Sequence, residues 1–190
     1  PGGYTDAAVP PSRRTNYALR EEALALRDTR KNAPTAVLTH GANPGMVSHL
    51  VKEALLNIAR DTGRSASPPK DRAGWAQLAC DLDIKAIHIA ERDFQVAMPR
   101  KVPGEFVNTW SVEGFVGEGC QPAELGWGSH ERHFPADGRR HAAGCKAAIY
   151  LARPGASTEV RTWTPLGGAI HGLLITHGES ISLADYFTIG

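Results

Sequence analysis

The chain has 190 residues, 42% of them hydrophobic and 22% charged. A chain of that size buries roughly 70% of its unfolded surface, which excludes disorder as the main state. Its 21 Lys and Arg against 20 Asp and Glu leave a net charge of +1, so no global basic field gathers nucleic acid or anionic lipid, and a charged ligand must be met locally. No run reaches the ~18 apolar residues of a spanning helix, and Pro1-Gly2-Gly3-Tyr4 lacks the basic and apolar regions of a leader. A soluble, non-secreted protein is expected. Cysteines 80, 120 and 145 are odd in number and lack CxxC spacing, which argues for a reducing compartment, by default the cytoplasm.

In chain order, Tyr17–Asp28 mixes apolar and charged residues as an amphipathic helix does. Thr35–Thr39 (TAVLT) is short, β-branched and apolar, the pattern of a buried strand. His40-Gly41-Ala42-Asn43-Pro44-Gly45 forms its exit turn. Met46–Arg60 then places Val47, Leu50, Val51, Ala54, Leu55 and Ile58 at helical spacing, with Asn43 and Pro44 offering N-cap and N1 chemistry and Gly63 a stop. Arg72–Cys80 makes a further short helix. Lys85–Glu91, Val107–Phe115, Lys146–Ala152 and Val160–Thr164 read as strands between Gly and Pro breaks. Ala169–Thr176 reads as another buried strand, and Ser182–Tyr186 as a helix. This order predicts the tail of an α/β unit feeding an α+β domain.

Several positions carry possible chemistry. The HGANPG turn joins a strand end to a helix start, where backbone N–H groups and an Asn amide meet a ligand; equally, Asn43 only caps its own helix. Glu91 ends a predicted strand and Glu118 lies in Gly117-Glu118-Gly119. Together they suit a ligand with two ammonium groups, and singly each reads as a solvated acid. Trp110 offers an indole face to a cation, or simply fills a core. His177 stands at a strand exit, placed to relay a proton or to cap. Cys120, His130, Glu131, His133, His141 and Cys145 lack HExxH or finger spacing, so the segment reads as a polar loop anchored by Trp127, with no metal expected. No GxGxxG, GxxxxGK[ST] or GxSxG occurs.

Five blocks in order, YTDAAVPPSRRTNYALREEALALR, THGANPGMVSHLVKEAL, HIAERD, NTWSVEGFVGEG and LLITHGESISLADY, resemble bacterial NAD-dependent homospermidine synthases, within the saccharopine dehydrogenase-like superfamily. The resemblance implies the central portion of such an enzyme. It assigns residues 1–43 to the terminal part of a Rossmann-like dinucleotide domain and 44–190 to an incomplete, mixed-sheet α+β domain for substrate and dimer contact. It also implies NAD as cofactor, putrescine and related diamines as substrates, and a homodimer binding neither nucleic acid nor membrane. The reaction implied moves an aminobutyl group from one putrescine to another, giving homospermidine and ammonia with no net redox.

Carried over position by position, the resemblance makes Asn43 the nicotinamide and substrate-side Asn, with Pro44 beside it. Glu91 and Glu118 become acids that hold ammonium ends, Trp110 the aromatic facing the cation, and His177 the proton-handling residue. A saccharopine or carboxynorspermidine type of dehydrogenase is the rival within the fold. It needs Arg or Lys facing carboxylates, a part open to Arg92, Arg132, Arg139 or Arg140. A substrate domain inactive by itself is the third reading.

Overall fold

The computed structural model describes residues 5–27, 32–64, 67–91 and 94–189. Thr15 Oγ1 accepts the Ala18 N–H at 3.1 Å and opens α1, Asn16–Ala25; Asp28, the predicted end, lies outside the described residues. Helix α2 is Met46–Asp61. It ends where Gly63 N–H reaches Arg60 O at 3.0 Å and Arg64 N–H reaches Ala59 O at 2.8 Å, the paired closure expected of a glycine stop. Helix α3, Arg72–Asp81, starts on Asp71, whose side chain accepts the Gly74 N–H.

Three strand expectations fail. TAVLT and Lys85–Glu91 join no ladder among the described residues; Val37 and Leu38 are exposed, as are Ile87 and Ile89. Apolarity marks such runs as ready to pair, but a strand exists only where a neighbouring strand answers its N–H and C=O groups. The third run, Val107–Phe115, instead leads into α4, Val112–Cys120, because Ser111 Oγ accepts the Gly114 N–H at 2.9 Å and caps a helix there. Glycines at 114, 117 and 119 lower helix propensity and obscured this helix in the sequence.

Strands β1 (Pro122–Gly126), β2 (Gly138–Arg140) and β3 (Ala148–Pro154) form an antiparallel sheet in the order β1-β3-β2. β1 and β2 are too short for a period-2 pattern to announce them. β4 (Glu159–Thr164) and β5 (Gly168–Leu173) make a separate antiparallel ribbon with Arg161 opposite His171 and Trp163 opposite Ala169. Every second residue of β5 is exposed, so it is a ribbon strand rather than the fully buried one expected, and residues 174–176 lie beyond it. Helix α5, Gly178–Phe187, closes the described chain. Helices beside small antiparallel sheets make this an α+β domain, the expected class.

Packing fixes where the helices begin. Leu55, Trp75 and Ala79 form a core joined by Tyr186 and Phe187, so α2, α3 and α5 share one apolar centre. Trp75 meets Phe187 edge-on at 6.5 Å. Lys52 Nζ lies 5.0 Å from the Trp75 ring and donates to Tyr186 Oη at 3.2 Å. A second core, Ala123, Ile149 and Leu151 with Trp127 and Leu174, lies on the sheet. Tyr17, Ala148 and Ile181 join α1 to β3 and α5.

Glu124 of β1 is buried and accepts the Asn16 N–H at 2.7 Å and the Tyr17 N–H at 3.0 Å, satisfying two orphan donors of α1. Burial raises its pKa to about 7 against the pull of those N–H bonds. The folded state therefore holds this proton more tightly than the unfolded chain. Stability from Glu124 is complete below about pH 4.5, the ordinary value, and is lost as pH rises through about 7. Chemical denaturation at pH 5 and pH 8 is expected to show a fall of up to about 3 kcal/mol from this group. Glu124→Gln flattens that fall, although it costs stability overall; an unchanged slope in the variant would refute the assignment.

Candidate active site

Helices α2 and α5 start side by side, and their entry residues meet. His177, the N-cap of α5, places Nδ1 2.7 Å from Asn43 Oδ1 in the turn before α2. Asn43 Nδ2 donates to Glu91 Oε1. On the other side of the imidazole, Nε2 lies 3.2 Å from Glu118 Oε2 in the last turn of α4. The structure thus brings four sequence-predicted residues into one line, Glu91, Asn43, His177 and Glu118.

Hydrogen-bond logic assigns the protons. An ionised carboxylate only accepts, so Asn43 turns its NH2 toward Glu91 and its carbonyl toward His177; Nδ1 must then carry a hydrogen and donate. Nε2 faces a second carboxylate, Glu118, a hydrogen bond that needs a proton on one of the two atoms. That pair can give up or take one proton while Asn43 keeps the ring oriented.

The turn explains why Asn43 is free for this. Gly41 N–H bonds to Pro44 O at 2.7 Å and Met46 N–H to Gly41 O at 2.9 Å, so the turn closes on itself and Gly45 becomes the N-cap. A Cβ on Gly45 would lie 2.7 Å from Gly41 N, so only glycine fits. Asn43 therefore does not cap α2 as the sequence suggested, and Pro44 is not the first helical residue: its carbonyl ties the turn.

Trp110 stands apart from the line, hydrogen-bonded to none of the four and 59% exposed. Its indole lies across Gly114, where a Cβ would come within 2.4 Å of the ring. Glu118 is one helical turn beyond Gly114 on the same side of α4. The aromatic face and the Glu118 carboxylate consequently flank one stretch of the helix.

Sequence reasoning missed Glu179. It is buried, its Oε1 lies 3.9 Å from His177 Nδ1, and its Oε2 has no hydrogen-bond partner. Burial raises its pKa, the charge of His177 opposes this, and the charges of Glu91 and Glu118 add to the rise. An acid in the first turn of a helix ordinarily reads as a complement to the helix dipole, and only the contact with His177 separates it from that reading. Among the described residues, no Lys or Arg pairs with Glu118 or Glu179; each carboxylate's ionic neighbour is His177.

The remaining candidates disperse. Arg132 donates to Ser129 O, Arg139 to Gly138 O, and Arg140 lies over Phe134, all distant in partners from the site; Arg92 lies outside the described residues. His130 contacts Lys85 O, His141 stacks on Tyr17 at 3.8 Å, and Cys145 Sγ accepts from Arg20. No three metal-type ligands come together among the described residues. Trp127 packs edge-on against Phe134 and onto the sheet core.

The family model of the saccharopine dehydrogenase C-terminal domain matches residues 41–190, which carry this α+β body and its site, and the chain belongs to that family. It is 56% identical over 188 residues to a homospermidine synthase of Blastochloris viridis, covering 99% of this chain and 39% of that protein. A homospermidine synthase of Mesorhizobium japonicum is 54% identical over 190 residues, with the same coverage of 99% and 39%. The crystal structure of the homospermidine synthase of Legionella pneumophila in complex with NAD superposes with a TM-score of 0.84 at 59% identity, covering 94% of this chain and 38% of that one. The chain spans about two fifths of the length of these relatives, 38–39%. No described helix is long and apolar enough to cross a membrane.

Proposed function

We propose that this chain is the substrate-side domain of an NAD-dependent homospermidine synthase that moves an aminobutyl group from one putrescine to another. The observation that carries this is the gathering of Glu91, Glu118 and Glu179 around Asn43 and His177, where among the described residues no Lys or Arg pairs with Glu118 or Glu179. Such a cluster of acids favours cations, and diammonium substrate and iminium intermediate are both cationic. It disfavours a carboxylated co-substrate. The donor set suits the positively charged nicotinamide end of NAD, beside Asn43 and Pro44; it does not suit the diphosphate, and the chain holds no GxGxxG.

When bound, NAD supplies the acceptance of one hydride from the amine-bearing carbon and its later return. The residues of this chain do the rest. Glu91 and Glu118 hold ammonium ends, and Glu179 adds a third acid beside His177. His177 Nε2, exchanging a proton with Glu118, takes a proton from the attacking amine so that its lone pair reaches the iminium carbon. The same pair returns a proton to the departing nitrogen, which leaves as ammonia. Trp110 faces the cation. The turn at residues 40–45 joins the part assigned to the dinucleotide side to residues 44–190, although α1 packs on the α+β body through Tyr17. A cytoplasmic homodimer completes the reading, and the 190-residue chain alone is expected not to turn over.

The test is a chimera in which this chain replaces the matching segment of the Blastochloris viridis enzyme. Putrescine and NAD should yield homospermidine and ammonia without lasting NADH. Accumulating NADH with no homospermidine would overturn the proposal. In the same chimera, Trp110→Ala should lose up to about 30-fold in kcat, the upper range of a desolvated cation–π contact, while Trp110→Phe keeps most of it. Equal, near-native turnover in both would remove the indole from the mechanism.

A further inference from the structure

The residue before His177 is held more firmly than a loop residue requires. Thr176 is buried between α1, α4 and β1. Its hydroxyl accepts the Glu124 N–H at 2.9 Å and donates to the Glu124 carbonyl at 3.1 Å. Its own carbonyl accepts two side-chain amides, Asn16 Nδ2 at 2.7 Å and Gln121 Nε2 at 3.2 Å.

Those partners belong to the elements that carry or brace the site. Gln121 is fully buried, follows α4 directly and lies three residues beyond Glu118. Asn16 opens α1, and its N–H is fixed by the Glu124 carboxylate. One carbonyl therefore ties the segment carrying His177 to the helix carrying Glu118. A side chain anchored one residue away and a partner anchored three residues away leave the His177–Glu118 distance little freedom.

Resting on the function proposed above, we infer that Thr176 is a positioning residue: through Asn16, Gln121 and the Glu124 backbone it sets the separation of the His177 imidazole from the Glu118 carboxylate. Misplacement of about 1 Å in such a pair costs as much as 10²-fold in rate. The ladder of contacts acts on turnover without touching substrate.

Thr176→Val is close in shape and deletes the hydroxyl; Thr176→Ser restores it. In the chimera, the valine variant should lower kcat roughly tenfold with KM for putrescine changed less than about threefold, and shift the pH profile of kcat/KM. Serine should return all three to near the parent. Independently of turnover, 15N NMR of histidine side chains in the 190-residue chain should show the His177 Nε2 resonance displaced in the valine variant and native in the serine variant. Should valine prevent folding, Gln121→Met removes one amide from the same carbonyl and should displace the resonance in the same direction. An unmoved His177 signal in the folded valine variant, or in Gln121→Met where valine does not fold, overturns the positioning role. A parent chimera without homospermidine would count against the proposed function alone, since the NMR measurement stands apart from it.

Discussion

With His177 replaced by alanine, the chimeric enzyme should lose on the order of 10²–10⁴-fold in kcat, the range a positioned proton-transfer group contributes. Two interactions vanish at once. The partner of Asn43 Oδ1 at 2.7 Å goes, and with it the contact to Glu118 at 3.2 Å. His177→Asn separates them: its amide can still donate toward Asn43, but nothing reaches Glu118. Steady-state kinetics with putrescine varied should therefore show KM closer to the parent in the asparagine variant while kcat stays low. A kcat within threefold of the parent in both variants would show that His177 moves no proton.

Trp75→Ala should be among the most damaging changes to stability, at about 3–5 kcal/mol, against the roughly 5–15 kcal/mol that a domain usually holds. Trp75 is buried among α2, α3 and α5. Its removal takes the edge-on contact with Phe187 and the seat of Lys52 Nζ as well as apolar area. Urea unfolding should reveal the loss, and Trp75→Phe should recover much of it. Because α2 follows the turn that carries Asn43 and α5 follows His177, the alanine variant should also loosen the imidazole that the kinetics report. An alanine variant as stable as the parent would mean that the three helices are held by something else.

The site residues were visible one at a time and convincing only together. Asn43 read as well as a helix cap; the self-closing turn through Gly41 and Pro44, which hands the cap to Gly45, is a backbone matter that residue type does not display. Glu118, flanked by glycines, read singly as a solvated acid, yet those glycines lie in α4, and Gly114 makes room for Trp110. Glu179 was not singled out at all, since it stands in the turn before the helix expected at Ser182–Tyr186. Nothing short of its distance to His177 distinguishes it.

Local chemistry settled what depends on neighbours in the chain. The helical spacing after Met46, the glycine at 63 and the aspartate before Arg72 each act within a turn or two, and the corresponding helices stand where they were expected. The family resemblance, spread over five blocks, was legible for the same reason that it is specific: order and identity survive in the sequence itself. Pairing was not legible. Thr35–Thr39 and Lys85–Glu91 have the composition of strands and no ladder partner among the described residues, while Pro122–Gly126 has little strand signal and is paired along β3. Strand pairing, the meeting of Glu118 and Glu179 at one imidazole and of Glu91 with Asn43 beside it are relations between distant residues, so only the tertiary structure decides them.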